Sequence, residues 1–410
     1  MAHPILSLWL LVAGLGPCAY GQITTTQESR PTPAEQPASS AFPDNSHFAF
    51  NLYRRLTAPD PSRNVLFSPL SFSLPLTLLA LQATPKARAT ILHELGLPIV
   101  KVPEDRVLEH YSQLLGAFLP PPGDCQTDTG SMLFLGQRRD PVLKFAQRAQ
   151  NLYRTEIFPT SFKNAQVAQH QMNLAMEKKT HGKIKGLFRG MKLHSVLILA
   201  NYMFFKGKWK YHFDQQVTKL MPFSVSDELT VPVPMMQKLG WFQLQYFHHM
   251  HSHVLRVPCA CNTTAIFVLP EKGKVAKAEA ALNKDNFDQW TRPFPLSRRK
   301  LYFPKLSLTG NMDLDKLVLS RDSLDVFSYD LGLSGISVQT IPMRLSKAVH
   351  RVELIMDEKG TEGENVANFK YLPKYQIPGI YFNKPFLLFL FKEGSHNLLF
   401  IGKVTNPKAS

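Results

Sequence analysis

The spacing of hydrophobic positions changes partway along the chain. Phe48, Leu52 and Leu56 recur at helical spacing behind Asn45 or Ser46, either of which can cap a helix. Residues 22–44 before them are rich in Thr, Ser, Pro and Gln without apolar periodicity, which predicts a disordered tail and order from about Asn45. Later the pattern shortens to strands. Thr264 to Leu269 is an apolar run closed by Pro270, Glu271 and Gly273. Leu301 to Leu308 alternates around Pro304, which predicts an edge strand or a bulge. Val352 to Met356 is a further strand. Phe386 to Phe391 and Leu398 to Val404 are apolar without alternation, as in strands buried on both faces, and Lys392 to Ser395 make the hairpin turn between them. One stretch does not fit: residues 360–379 follow a strand, are polar, and carry three glycines and two prolines. A loop that long inside a compact domain is uncommon and usually functional. No repeat or long linker interrupts residues 45–408, so a single mixed domain is expected, helical early and sheet-rich late.

The ends and the composition narrow the setting. Within residues 1–21 an apolar run, Ile5 to Leu15, precedes Ala19-Tyr20-Gly21, small residues placed as signal peptidase requires before Gln22. No other stretch has the roughly 18 uninterrupted apolar residues of a membrane span, so a secreted, soluble protein is expected. Lys and Arg number 47 against 31 Asp and Glu, a net +16. That excess admits a polyanionic partner or plain solvated surface charge. Removing Cys18 with the signal leaves Cys125, Cys259 and Cys261, an odd count that implies a free or intermolecular thiol. Cys259 and Cys261 would share one face of a strand, and a bridge between them stays open. Asn262-Thr263-Thr264 is a glycosylation sequon, and export would permit its use at Asn262.

Motifs for catalysis are missing. The chain has no Gly-x-Ser-x-Gly elbow, phosphate loop, His-Glu-x-x-His or dinucleotide fingerprint. No enzyme, cofactor, metal or nucleic-acid role is therefore expected. His248, His249, His251 and His253 are the best metal candidates, but with no acidic or thiol neighbour an exposed polar edge between strands is the favoured reading.

Five blocks, in order, resemble those of one family. They are Asn64-Val65-Leu66-Phe67-Ser68-Pro69-Leu70-Ser71, Asn201-Tyr202-Met203-Phe204-Phe205-Lys206-Gly207-Lys208-Trp209, Val233-Pro234-Met235-Met236, the stretch from Val352 to Glu362, and Ile380-Tyr381-Phe382-Asn383-Lys384-Pro385 running on through Leu390. Together they resemble the serpins, and most of all the extracellular antitrypsin-like serpins. The resemblance implies an α+β fold, several helices packed on three β-sheets, with an exposed reactive loop at about residues 360–379. It implies a monomer that inhibits a serine protease when the cleaved loop inserts as an added strand. Gly360, Thr361, Glu362, Gly363, Glu364 and Asn365 match the loop hinge. From Gly360 to Phe382 is 382 − 360 = 22 positions, the family spacing. It puts the reactive bond between Lys374 and Tyr375, with a lysine suited to the acidic pocket of a trypsin-like protease. Ser68, Ser71, Asn201 and His350 match a hydrogen-bonding cluster under the sheet opening. Trp209, Glu358 and Lys305 match residues where the loop first enters the sheet.

The loop itself alternates. Thr361, Gly363, Asn365, Ala367, Phe369 and Tyr371 lie on one face, mostly small or apolar, and the opposite face is mostly polar, which suits an inserting strand. Two departures favour the alternative of a non-inhibitory carrier or interaction protein. Gly363-Glu364-Asn365-Val366 replaces the small residues of inhibitory hinges, and Pro75 falls within the second helix.

Overall fold

The computed structural model describes residues 44–97, 104–118, 125–137, 139–189, 197–313, 332–333, 335–339, 343, 345–362 and 377–409. The predicted first helix, α1 (Ser46–Thr57), is present, with Phe48, Leu52 and Leu56 buried. It starts where expected, but without the expected cap bond. Asn45 occupies the cap position, yet its carboxamide does not cap. It instead accepts from Leu398 N at 2.7 Å and donates to Leu398 O at 2.9 Å, tying the helix to a C-terminal strand. Asp44, the last residue of the expected tail, accepts from Ser46 N–H and pairs with Lys284 at 2.7 Å.

After the short strand β1 (Val65–Phe67) comes α2 (Pro69–Ala80), in which every residue is buried. Pro69 at its first position needs no backbone donor, and the Ser68 hydroxyl caps Ser71 N–H at 3.2 Å. Then follow α3 (Pro85–Glu94), α4 (Glu104–Phe118), β2 (Gln126–Gly136), α5 (Leu143–Tyr153), β3 (Thr155–Thr160), α6 (Ala165–Lys179) and β4 (Leu197–Tyr211). The sheet-rich half comprises β5 (Lys219–Ser224), β6 (Thr230–Phe247), β7 (Ser252–Cys259), β8 (Thr263–Pro270), α7 (Val275–Ala280), α8 (Lys284–Thr291), β9 (Leu296–Pro304) and β10 (Leu306–Asp313). It ends with β11 (Lys347–Glu362), β12 (Gly379–Tyr381), β13 (Phe386–Lys392) and β14 (Leu398–Val404).

The strands form three ladders. The first runs β3-β2-β4-β11-β10, with β4 and β11 parallel. The second is antiparallel, β6-β7-β8-β13-β14-β1. In the third, β6 pairs with β5 and β9, and β9 with β12. Long β6 belongs to the last two, and a single pair, Trp209 with Cys259, joins the first to the second.

Two expectations are corrected. Leu301 to Leu308 is not one strand with a bulge: Lys305 separates β9, which pairs with β6, from β10, which pairs with β11. Its N–H donates to Pro234 O at 2.9 Å as the chain changes partners. Cys259 and Cys261 do not share a strand face either. Cys259 ends β7, and Cys261 stands in the following turn at φ 63°. Cys261 is bonded to Cys125, across 136 positions, and Cys259 is the buried free thiol, pushed up to about 12 by burial.

Packing concentrates beneath the C-terminal strands. Phe267, Phe303, Phe382 and Phe386 interlock, with ring centroids 4.5 Å (Phe267–Phe303), 5.0 Å (Phe303–Phe382) and 5.3 Å (Phe382–Phe386) apart. Each such pair is worth about 0.5–1.5 kcal/mol beyond its area. Among the described residues no helix is long and apolar enough to cross a membrane.

Candidate functional site: the seam between β4 and β11

β4 and β11 run parallel in register from Lys347 opposite Ile198 to Met356 opposite Gly207. The register then shifts and resumes with Gly360 opposite Trp209 and Glu362 opposite Tyr211. Glycine is required at 360, because a Cβ there would lie 2.3 Å from His212 N. The seam thus closes tightly just where the matched hinge begins. Gly360, Thr361 and Glu362 end β11, while Gly363, Glu364, Asn365 and the bond between Lys374 and Tyr375 lie outside the described residues.

Trp209, Glu358 and Lys305 come together at this upper end. Trp209 is buried against Phe213, Phe303 and Phe267, and its indole N–H donates to Asp357 O at 2.6 Å. Asp357 in turn pairs with Lys206 at 3.2 Å. Glu358 accepts from Lys305 Nζ at 2.9 Å and from the Thr218 hydroxyl at 3.0 Å. Burial alone would push the Glu358 carboxyl up, but these donors outweigh it and hold it below its ordinary value. Asp357 and Glu358 take different partners, Lys206 and Lys305, so the upper end of β11 is pinned from two sides.

Ser68, Ser71, Asn201 and His350 meet lower down, all buried. His350 and Asn201 are direct register partners across the seam. Ser68 N–H donates to His350 Nε2 at 3.2 Å, so the ring proton must sit on Nδ1, facing Asn201 Oδ1. Burial holds the imidazole neutral, with a pKa of about 3. Asn201 Oδ1 also accepts from the Ser71 hydroxyl at 2.9 Å. Its amide donates to Ser131 Oγ at 3.0 Å, Gly130 O at 3.2 Å and Ser71 O at 2.9 Å.

That last contact explains how Pro75 is tolerated in the middle of α2. Proline has no N–H, so it cannot bond the carbonyl four residues earlier, which is Ser71 O. The carboxamide of Asn201 takes that carbonyl from β4. Sequence reading registered Pro75 and Asn201 separately and missed the link, along with Ser131, Thr218, Asp357 and Lys206. Only a pairing map could have revealed them, since each contact is long-range.

The remaining candidates stand apart. Asn262 lies in the β7–β8 turn at φ 52°, and Thr264, the third sequon residue, is buried with its hydroxyl on Glu393. His248 and His249 open the β6–β7 turn. His248 and His253 pack edgewise on Tyr246 at 4.8 and 4.9 Å, and His251 lies 3.5 Å from Glu271. Among the described residues no three His, Cys, Asp or Glu converge as metal ligands.

These ladders, and a parallel seam underlain by a buried polar cluster, define a class. Residues 43–407 match the family described as Serpin (serine protease inhibitor), and the chain belongs to the serpin family. It is 35% identical, over 97% of both chains, to an alpha-1-antitrypsin-like protein of Ictidomys tridecemlineatus. Solved structures agree. Human thyroxine-binding globulin, complexed with thyroxine, is 30% identical at a TM-score of 0.80, covering 90% of this chain and 98% of that one. Mouse protein-Z dependent protease inhibitor is 27% identical at 0.81, covering 90% and 97%.

Proposed function

We propose that this chain is a secreted, monomeric inhibitor of a trypsin-like serine protease, with Lys374 as bait. The protease serine attacks the Lys374 carbonyl, the bond to Tyr375 breaks, and the departing nitrogen takes a proton. The acyl-enzyme ester then rides on the loop as residues from Gly363 onward enter between β4 and β11. Water attacking that ester first would release an intact protease and a cleaved, spent inhibitor.

One observation carries this reading. β11 leads without a turn into the hinge at Gly360–Glu362, beside a parallel partner that is held by exchangeable polar contacts. An inserting strand replaces a ladder it separates with two new ones, so opening the seam is compensated in kind. The Lys206–Asp357 pair and the His350–Asn201 cluster would act as the closures at either level, while Lys305–Glu358 ties β11 to the β9–β10 side. In this reading residues 1–21 are removed on export, residues 22–44 form a tail, and Asn262 carries a glycan. The +16 charge leaves a polyanion as a further partner.

A second reading has support of its own. Pro75 in α2 and the Glu364-Asn365 hinge both depart from inhibitory patterns, and thyroxine-binding globulin, solved with thyroxine, is among the structural neighbours. The two readings separate in one experiment. Incubation with trypsin should give a covalent complex stable in SDS, and the released fragment should begin at Tyr375. Cleavage after Lys374 without a complex would favour the carrier reading; a first cut elsewhere in the domain would remove Lys374 as bait.

A further inference from the structure

At its upper end β4 is bordered on both edges. One edge faces β11 across the seam, with Gly360 opposite Trp209. The other edge has two successive partners. β2 pairs along it as far as Gln126 opposite Lys206. Beyond that the β7–β8 turn takes over, with Cys259 opposite Trp209 and Ala260 N–H donating to Lys208 O at 2.9 Å. Cys125 immediately precedes β2 and Cys261 stands in the turn, so their disulfide splices the two end to end along one edge of β4.

The turn itself is fastened into the second ladder. Lys392 Nζ donates to Cys261 O at 3.0 Å, and Glu393 N–H donates to Asn262 O at 3.1 Å. The β11–β10 side of the seam is anchored to the same ladder through β1. Gly310 of β10 lies so close to β1 that a Cβ would come within 1.9 Å of Leu66 O. Admitting one strand at the seam widens it by about 4.8 Å. If β2 and β4 take that movement, Cys125 is carried sideways from a turn that stays behind. The two Cα atoms are already 6.3 Å apart, and cystines usually span no more than about 6.8 Å. The bond stops the movement early. Its more accessible end is Cys261, which is half-buried, whereas Cys125 is buried. The third cysteine does not compete for it, because Cys259 is buried and its protonated sulfur is a poor nucleophile.

We propose that the Cys125–Cys261 bond is a redox-controlled stop on the β4–β11 seam, released by a dithiol reductant. One thiolate of the reductant attacks Cys261 Sγ, and Cys125 leaves as a thiolate and takes a proton. The second thiol of the reductant then resolves the mixed disulfide. Cys261 departs as a thiol and the reductant becomes a disulfide. That the freed seam serves loop entry rests on the inhibitory reading above, but its release can be read without any protease.

Hydrogen exchange on the intact oxidised protein, with and without dithiothreitol and without denaturant, tests the stop. Alkylation after reduction should mark Cys125 and Cys261 and spare Cys259. The amides of residues 347–356 in β11 should then exchange about tenfold faster, while those of β13 and β14 stay protected over the same minutes. β11 carries neither cysteine, so loosening of the turn alone would not move them. A Cys125→Ser/Cys261→Ser variant should exchange as the reduced protein does, with no reductant present. A bond that dithiothreitol leaves uncut in the folded protein would overturn the proposal. So would β11 amides that keep the oxidised rate, or an acceleration shared equally by β13 and β14. Failure to trap trypsin would instead count against the inhibitory reading alone.

Discussion

The β13–β14 hairpin and the β4–β11 seam are both buried and both laddered, but different side chains hold them. β13 and β14 are joined by packing. Phe389 alone touches Phe50 and Phe287 at 6.3 Å and Trp290 at 5.7 Å. Within β14, Lys403 is fully buried and paired with Glu279 at 2.8 Å. The β4–β11 seam instead concentrates directional polar contacts at two levels, His350 with Asn201 and Asp357 with Lys206 and Trp209. Separating packed apolar surfaces costs about 25 cal/mol per Å² with nothing to replace the loss. Separating hydrogen-bonded strands costs little if another strand supplies the same bonds. A molecule that must open along one line and nowhere else would distribute its contacts in this way.

Breaking the packed side should have the largest effect. Phe389→Ala should lower stability by about 3–5 kcal/mol, read from denaturant midpoints, because the surrounding rings can only partly collapse. The seam should respond to acid instead. His350 is neutral in the fold with a pKa of about 3, against 6.5 when free. Below 6.5 the unfolded chain binds a proton that the fold refuses. Its contribution is therefore complete above pH 6.5 and falls as pH drops toward 3, by at most about 1.4 kcal/mol per pH unit. A His350→Gln variant should have a flatter stability profile across that window, and an unchanged profile would remove the imidazole from the account.

Asn201→Ala should cost about 1–3 kcal/mol by leaving buried carbonyls and hydroxyls unpaired. Its cost should shrink in a Pro75→Ala background, where residue 75 regains the N–H that Ser71 O lacks. A double-mutant cycle by chemical denaturation would then give a coupling of roughly 1 kcal/mol, and strict additivity would contradict the link. Smallest should be Lys305→Met, below about 1 kcal/mol, since this lysine is 41% exposed and solvent screens the pair. If it also sped loop insertion, seen as faster complex formation with trypsin, the pair would be a latch and not a girder.

Legibility in the sequence followed locality. β13 and β14 could be read directly, because burial on both faces removes alternation and leaves unbroken apolar runs. α1 was readable for the same reason, through its periodic Phe48, Leu52 and Leu56. Its start falls where expected, with Asn45 at the cap position, but the cap bond is absent because Asn45 spends its carboxamide on Leu398, more than three hundred positions away. β9 and β10 looked like one strand since only Lys305 separates them, and what changes at Lys305 is the partner strand, which no local pattern records. Ser68, Ser71, Asn201 and His350 carried no signal of their own and were legible only through the family resemblance. The Cys125–Cys261 bond, spanning 136 positions, had no local trace at all.

The contact between Asn201 and Ser71 O also bears on the order in which the chain assembles. Helices usually form early because their bonds close over four residues, within microseconds or less. α2 cannot finish that way, because one carbonyl in its interior is completed from β4, 130 positions later in the chain. Until β4 docks, the helix has a vacant acceptor in its first turn, at Ser71 O, and should fray there up to Pro75. Closing so long a loop is slow compared with winding a turn. The N-terminal half of α2 should therefore gain its amide protection together with β4 and not with its own C-terminal half, a division that pulse-labelled hydrogen exchange during refolding would resolve.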